Sequence, residues 1–130
     1  MIQEMVMEAC KADGWTIRPE KDSTIIVVPL GPDRHQEVSV SASTENDESI
    51  IRFFTIIGPV KDLEGNRPLA ALSLNFGLIS CSFAVHGDDL VLVRTQLAAH
   101  IDAQEARSTI WRLAETGDRY EKHLYGTDLH

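Results

Sequence analysis

The sequence predicts an α+β fold, a twisted antiparallel sheet with helices packed on it in the order α-β-β-β-β-α-β-β-α. Three observations carry that reading. Residues 2–9 and 106–124 repeat small and apolar side chains at i, i+3, i+4 and i+7, the period of a helix with one buried face. The segments 15–18, 24–28, 37–43 and 50–57 instead alternate with period two or are apolar throughout, as strands are. The links between these strands are short, which suits antiparallel neighbours, whereas a parallel pair needs a long crossover.

The first helix carries Ile2, Met5, Val6 and Ala9 on one face and stops at Asp13 and Gly14. Trp15 and Ile17 then alternate with Thr16 and Arg18 in a short strand, and residues 19–22 turn the chain. Ile25, Ile26, Val27 and Val28 leave neither face polar, which places this strand inside the sheet. Pro29 ends it by withholding an N–H from the ladder. In the next strand Val38, Val40 and Ala42 face inward while Glu37, Ser39, Ser41 and Ser43 face water. An acidic loop at 44–48 leads to IIRFFTII at 50–57, the most hydrophobic stretch of the chain. Its two alternate sets are Ile51, Phe53, Thr55, Ile57 and Ile50, Arg52, Phe54, Ile56. With the first set in the core, Ile50, Phe54 and Ile56 need another cover.

The rest of the chain is organised around residues 67–97, after a Gly-, Pro- and Asp-containing loop at 58–66. Pro68 suits a first helical position, Leu69, Leu72 and Phe76 follow at helical spacing, and Gly77 offers a left-handed stop. The period then becomes two. Cys81, Phe83 and Val85 point inward, Gly87, Asp88 and Asp89 turn the chain, and residues 90–93 are apolar on both faces. Asp102 and Glu105 form a capping-box pattern that opens a helix to about Tyr125. Its stripe is Ala106, Ile110, Leu113, Ala114, Gly117, Tyr120 and Leu124; Gly117 weakens it or admits a close neighbour, and Gly126 ends it.

At 130 residues the expectation is a single domain spanning 1–130. A composition of 43% hydrophobic and 25% charged residues is that of an ordinary globule and excludes global disorder. The net charge of −8, with 12 scattered basic residues, argues against a nucleic-acid or anionic-membrane surface. The N-terminal segment has Glu4 and Glu8 inside its amphipathic pattern and is not a secretory signal, and no run is long enough to span a bilayer. Cys10 and Cys81 read as reduced, packed thiols of a cytoplasmic protein.

No cluster specifies a reaction, so the sequence implies no catalytic residue, cofactor or metal. His100 with Asp102, or His86 with Asp88 and Asp89, does not complete a zinc set, and the acids fit better as a helix cap and turn residues. Cys81, on an inward strand face, lacks a base, and no phosphate-cradling glycine motif occurs. Asp128 and His130 sit in a four-residue tail, a poor scaffold for catalysis. The apolar excess at 25–28, 50–57 and 90–93 is more informative. Either three helices sandwich the sheet within one chain, or part of it is covered by a second copy or a partner polypeptide. The alternative function is a small ligand-binding domain or enzyme using His86, His100 and nearby acids.

This order of elements resembles the class I chaperones of type III secretion and the related YbjN-type domains. The closest local matches are LAALSLN at 69–75, SCSFAVHGDDLVLVRTQL at 80–97 and the capped helix from Asp102. The resemblance implies a non-enzymatic, homodimeric protein that holds an effector or other client polypeptide along apolar patches. Carried onto this sequence, it makes Leu69, Leu72 and Phe76 dimer-interface candidates and Ile50, Phe54 and Ile56 partner-binding candidates.

Overall fold

Six strands form one sheet in the order β1-β2-β3-β4-β6-β5, and every neighbouring pair is antiparallel. They are β1 (Thr16–Pro19), β2 (Thr24–Gly31), β3 (Arg34–Glu45), β4 (Glu48–Pro59), β5 (Ser82–His86) and β6 (Asp89–Leu97). The helices are α1 (Ile2–Lys11), α2 (Arg67–Leu74) and α3 (Ala103–Tyr125). This computed structural model describes residues 2–11 and 13–126, and the side chains from residue 4 onward within them; the predicted contact of Ile2 and the tail residues Asp128 and His130 lie outside them. The predicted order of elements is the observed one, with β2, β4 and β6 inside the sheet as their two-faced apolarity requires.

Tight turns enforce the antiparallel order. Glu45 pairs with Glu48 across Asn46 and Asp47, at φ of 51° and 65°, the doubly left-handed turn whose twist matches that of the flanking strands. His86 pairs with Asp89 across Gly87, at φ 61°, and Asp88.

Helices α1 and α3 lie together on one face of the sheet, hereafter the inner face. Ile51, Phe53, Thr55 and Ile57 of β4 are all buried there, as the alternation predicts. Beside them stand Ile26, Val28, Val38, Val40 and Leu92, and facing them Val6, Cys10, Ile110 and Leu113. The stripe predicted for α3 is buried apart from the half-buried Tyr120, and Thr109, Thr116 and Glu121 are buried with it. Asp102 caps this helix, its Oδ1 accepting from the Glu105 N–H at 2.8 Å. Gly117 lets α3 settle onto the sheet, because a Cβ there would stand 2.7 Å from Thr55 Cγ2. A Cβ at Gly58 would meet the Tyr125 ring at 2.6 Å, and the Tyr125 hydroxyl donates to Pro59 O at 2.8 Å. Tyr125 thus pins the end of α3 to the end of β4.

Three details differ from the sequence reading. Ala42 and Val85 have inward parity, opposite Ile51 and Leu90, yet Ala42 is exposed and Val85 is 64% exposed. Alternation names a face but not the extent of the helices above it. Gly77 is not among the left-handed residues. After α2 the chain runs on through successive i→i−3 bonds, from the N–H groups of Asn75, Phe76, Gly77 and Leu78. The left-handed residue is Ser80, at φ 72°, held by Arg94 Nη1 on its carbonyl at 3.0 Å and Arg112 Nη1 on its Oγ at 3.3 Å. Cys81 follows that turn and precedes β5 rather than opening it.

Candidate partner-binding surfaces

The outer face of the sheet is built from the second alternate set of each strand. Register aligns Ile25, Ser39, Phe54, Val93 and Ser82 in one row across β2, β3, β4, β6 and β5, while Ile56 stands opposite Val91. Burial along β4 is graded: Ile50 is 7% exposed, Phe54 is half-buried against the His86 ring at 5.4 Å, and Ile56 is 43% exposed. Phe54 and Ile56 form, with Ile25, the floor of an open groove of about 840 Å³. Ile50 does not line it, being paired with Leu97 toward the other end of β4. The groove wall adds Glu20, Glu37 and Asp89, together with His35. The sequence marks Asp89 as a turn residue and Glu37 as outward-facing but not their convergence with Glu20, because only the register brings the β1–β2 turn, the start of β3 and the start of β6 to one rim.

The second surface centres on α2. Of this helix Ala71 is buried and Leu74 packs partly against the core, whereas Leu69 and Leu72 are 65% and 62% exposed. Beyond its end Phe76 is 99% and Ile79 80% exposed. Polar contacts hold the helix in place: Arg67 Nη1 donates to Leu124 O at 2.8 Å. Asn75 grips β5 through both amide atoms, Oδ1 accepting from the Phe83 N–H at 2.6 Å and Nδ2 donating to Phe83 O at 3.3 Å. That pair satisfies backbone groups on an edge strand, groups that are otherwise a template for another chain. Leu69 and Leu72, one turn apart on α2, and Phe76, just beyond its end, are thus all exposed on the segment that packs beside the edge strand β5.

The side chains considered for chemistry do not converge. His86 and His100 lie beyond opposite ends of β6, roughly 25 Å of strand apart, so one site cannot use both. Among the described residues, no group of three or more His, Cys, Asp or Glu is arranged to hold a metal ion. Burial, with the Asp13 charge adding to it, pushes the Cys10 thiol up to about 11. Burial also raises Cys81, outweighing the opposing effect of Arg94, Arg112 and Arg119, so neither thiol is poised as a thiolate. Both cysteines are unpaired. Near the start of α3, Arg107 binds the Asp13 carboxylate and lies 5.6 Å from the Trp15 ring, which stacks on Trp111 at 6.3 Å; this cluster joins α3 to the end of α1. No helix among the described residues is long and apolar enough to cross a membrane.

No protein-family model matches the chain, and no curated protein matches it in sequence. Solved structures do match its fold. A chain of the ExsC–ExsE complex superposes with a TM-score of 0.66 at 13% identity, over 95% of this chain and 92% of that one. A chain of the heterodimeric ExoU–SpcU complex from the type III secretion system of Pseudomonas aeruginosa gives 0.60 at 20% identity, over 98% and 100%. The structure of the Yersinia pestis type III secretion chaperone SycH with a fragment of YscM2 gives 0.60 at 14%, over 90% and 97%. These neighbours bear on the chaperone side of the resemblance and not on YbjN-type domains. The chain has the fold of the type III secretion chaperones.

Proposed function

We propose that this protein is a non-enzymatic, cytoplasmic, single-domain binding module that forms a homodimer and holds an extended segment of a partner polypeptide. The observation that carries the proposal is the pair of apolar surfaces that the chain's own helices leave open, the α2 region and the Phe54–Ile56 groove. Two open surfaces suit two occupants. The exposed Leu69, Leu72 and Phe76 on and just beyond α2 suit a second copy, since a two-fold contact sets the same side chains against themselves. The open groove on the sheet suits an extended chain, which presents alternate side chains to a floor of Ile25, Phe54 and Ile56. Solved neighbours that are themselves complexes, ExsC with ExsE and SycH with a YscM2 fragment, support the reading by analogy of fold. The two unpaired thiols accord with a reducing compartment.

Native mass spectrometry of the protein drawn from its own cells tests the proposal. A dimer carrying one recurrent polypeptide, lost in a Phe54→Ser variant that still folds, is the expected result. A monomer without a companion, or one carrying a small molecule, would contradict it.

A further inference from the structure

The floor of the sheet groove is apolar but its wall is acidic, and that contrast identifies the chemistry of the occupant. Glu20, Glu37 and Asp89 line the groove, and among the described residues no lysine or arginine lines it. Two arginines share this face of the sheet: Arg18 of β1 pairs with Glu20 at 3.2 Å and Glu37 at 2.9 Å, whereas Arg52, in the same alternate set of β4 as Phe54, is engaged with Glu45 at 3.9 Å and Thr95 at 3.2 Å, none of which lines the groove. A single guanidinium shared between two of three carboxylates leaves the wall with excess negative charge, in a chain of net charge −8. An acidic segment in this groove meets like charge from the wall and from the whole molecule, whereas a cationic one is drawn in by both.

Resting on the reading that the groove holds a polypeptide, we propose that its occupant is an extended segment in which apolar residues alternate with lysine or arginine. The apolar side chains rest on Ile25, Phe54 and Ile56, and the long aliphatic stems of the basic residues carry their charges to Glu20, Glu37 and Asp89. Lysine and arginine both reach and both retain charge at neutral pH, so the carboxylates choose the sign of the segment and not its sequence.

Fluorescence anisotropy with the full chain and three labelled synthetic peptides tests this. The peptides alternate valine with lysine, with serine or with glutamate. The lysine peptide is expected to bind about tenfold more tightly than the serine peptide at low ionic strength, with the glutamate peptide weakest. That advantage shrinks as salt rises from about 50 mM to about 500 mM, where the screening length falls to a few ångströms. It disappears in the Glu37→Gln, Asp89→Asn double variant, while Ile56→Asn weakens the lysine and serine peptides alike. Equal binding of the lysine and serine peptides, with sensitivity to Ile56→Asn, would overturn the charge proposal and leave the groove reading standing. Binding indifferent to Ile56→Asn, or no binding by any peptide, would overturn both.

Discussion

Helices α2 and α3 are both apolar on one side, and they use that side in opposite ways. In α3 the stripe from Ala106 to Leu124 is pressed onto the sheet, with Ile110, Leu113 and Ala114 at most 1% exposed. In α2, Ala71 is the one buried residue, and the larger Leu69 and Leu72 point outward. The difference lies in what holds each helix. Helix α3 is held by packing, with Gly117 allowing the close approach and Asp102 and Gly126 fixing its ends. Helix α2 buries only Ala71 and part of Leu74 and is held besides by polar grips, Arg67 on Leu124 O and Asn75 on Phe83, which leave Leu69 and Leu72 exposed. The apolar area of α3 therefore stabilises the chain, and that of α2 is what the proposed dimer would cover.

Substitutions sharpen or break that contrast. Leu113→Ala, deep under α3, is expected to cost about 2–5 kcal/mol in chemical denaturation, since it removes buried methyl groups and leaves a cavity. A loss well below that range would mean that α3 packs more loosely than its burial indicates. Gly117→Val is expected to cost about 1–3 kcal/mol, because its Cβ meets Thr55 Cγ2 at 2.7 Å and the helix must lift from β4. An unchanged melting temperature would show that the close approach is not real. Asp102→Ala is expected to cost about 1 kcal/mol through the lost cap to the Glu105 N–H, read as a shift in the thermal midpoint. Leu72→Asp, on the exposed side of α2, is expected to change chain stability by no more than about 0.5 kcal/mol, measured at a concentration where the chain is monomeric. A large loss there would make α2 part of the core and dissolve the contrast.

Much of this fold is legible in the sequence, because strong periodicity and turn chemistry agree. The β4 alternation separates Ile51, Phe53, Thr55 and Ile57 from their neighbours correctly, and the Asp102–Glu105 spacing fixes the start of α3. What the sequence hides is reach. Val85 and Ala42 carry the right parity but lie beyond the helical cover, and Ile50 carries the outer parity yet is buried beside Leu97. Gly77 looks like the stop after α2, yet the left-handed residue is Ser80, held by two arginines from β6 and α3 that are distant in sequence. The groove is legible in its floor, through the two-faced strands β2 and β4. Its acidic wall is not, because Glu20, Glu37 and Asp89 come from three separate segments with no shared motif.

Sedimentation velocity of the purified chain at micromolar concentration, beside a Leu72→Asp, Phe76→Asp double variant, tests the central contrast most directly. The wild-type chain is predicted to sediment at twice its 14.5 kDa mass, and the variant at the monomer mass with an unchanged circular dichroism spectrum. A wild-type monomer, or a variant that remains dimeric, would show that the exposed face of α2 is not where a second copy binds.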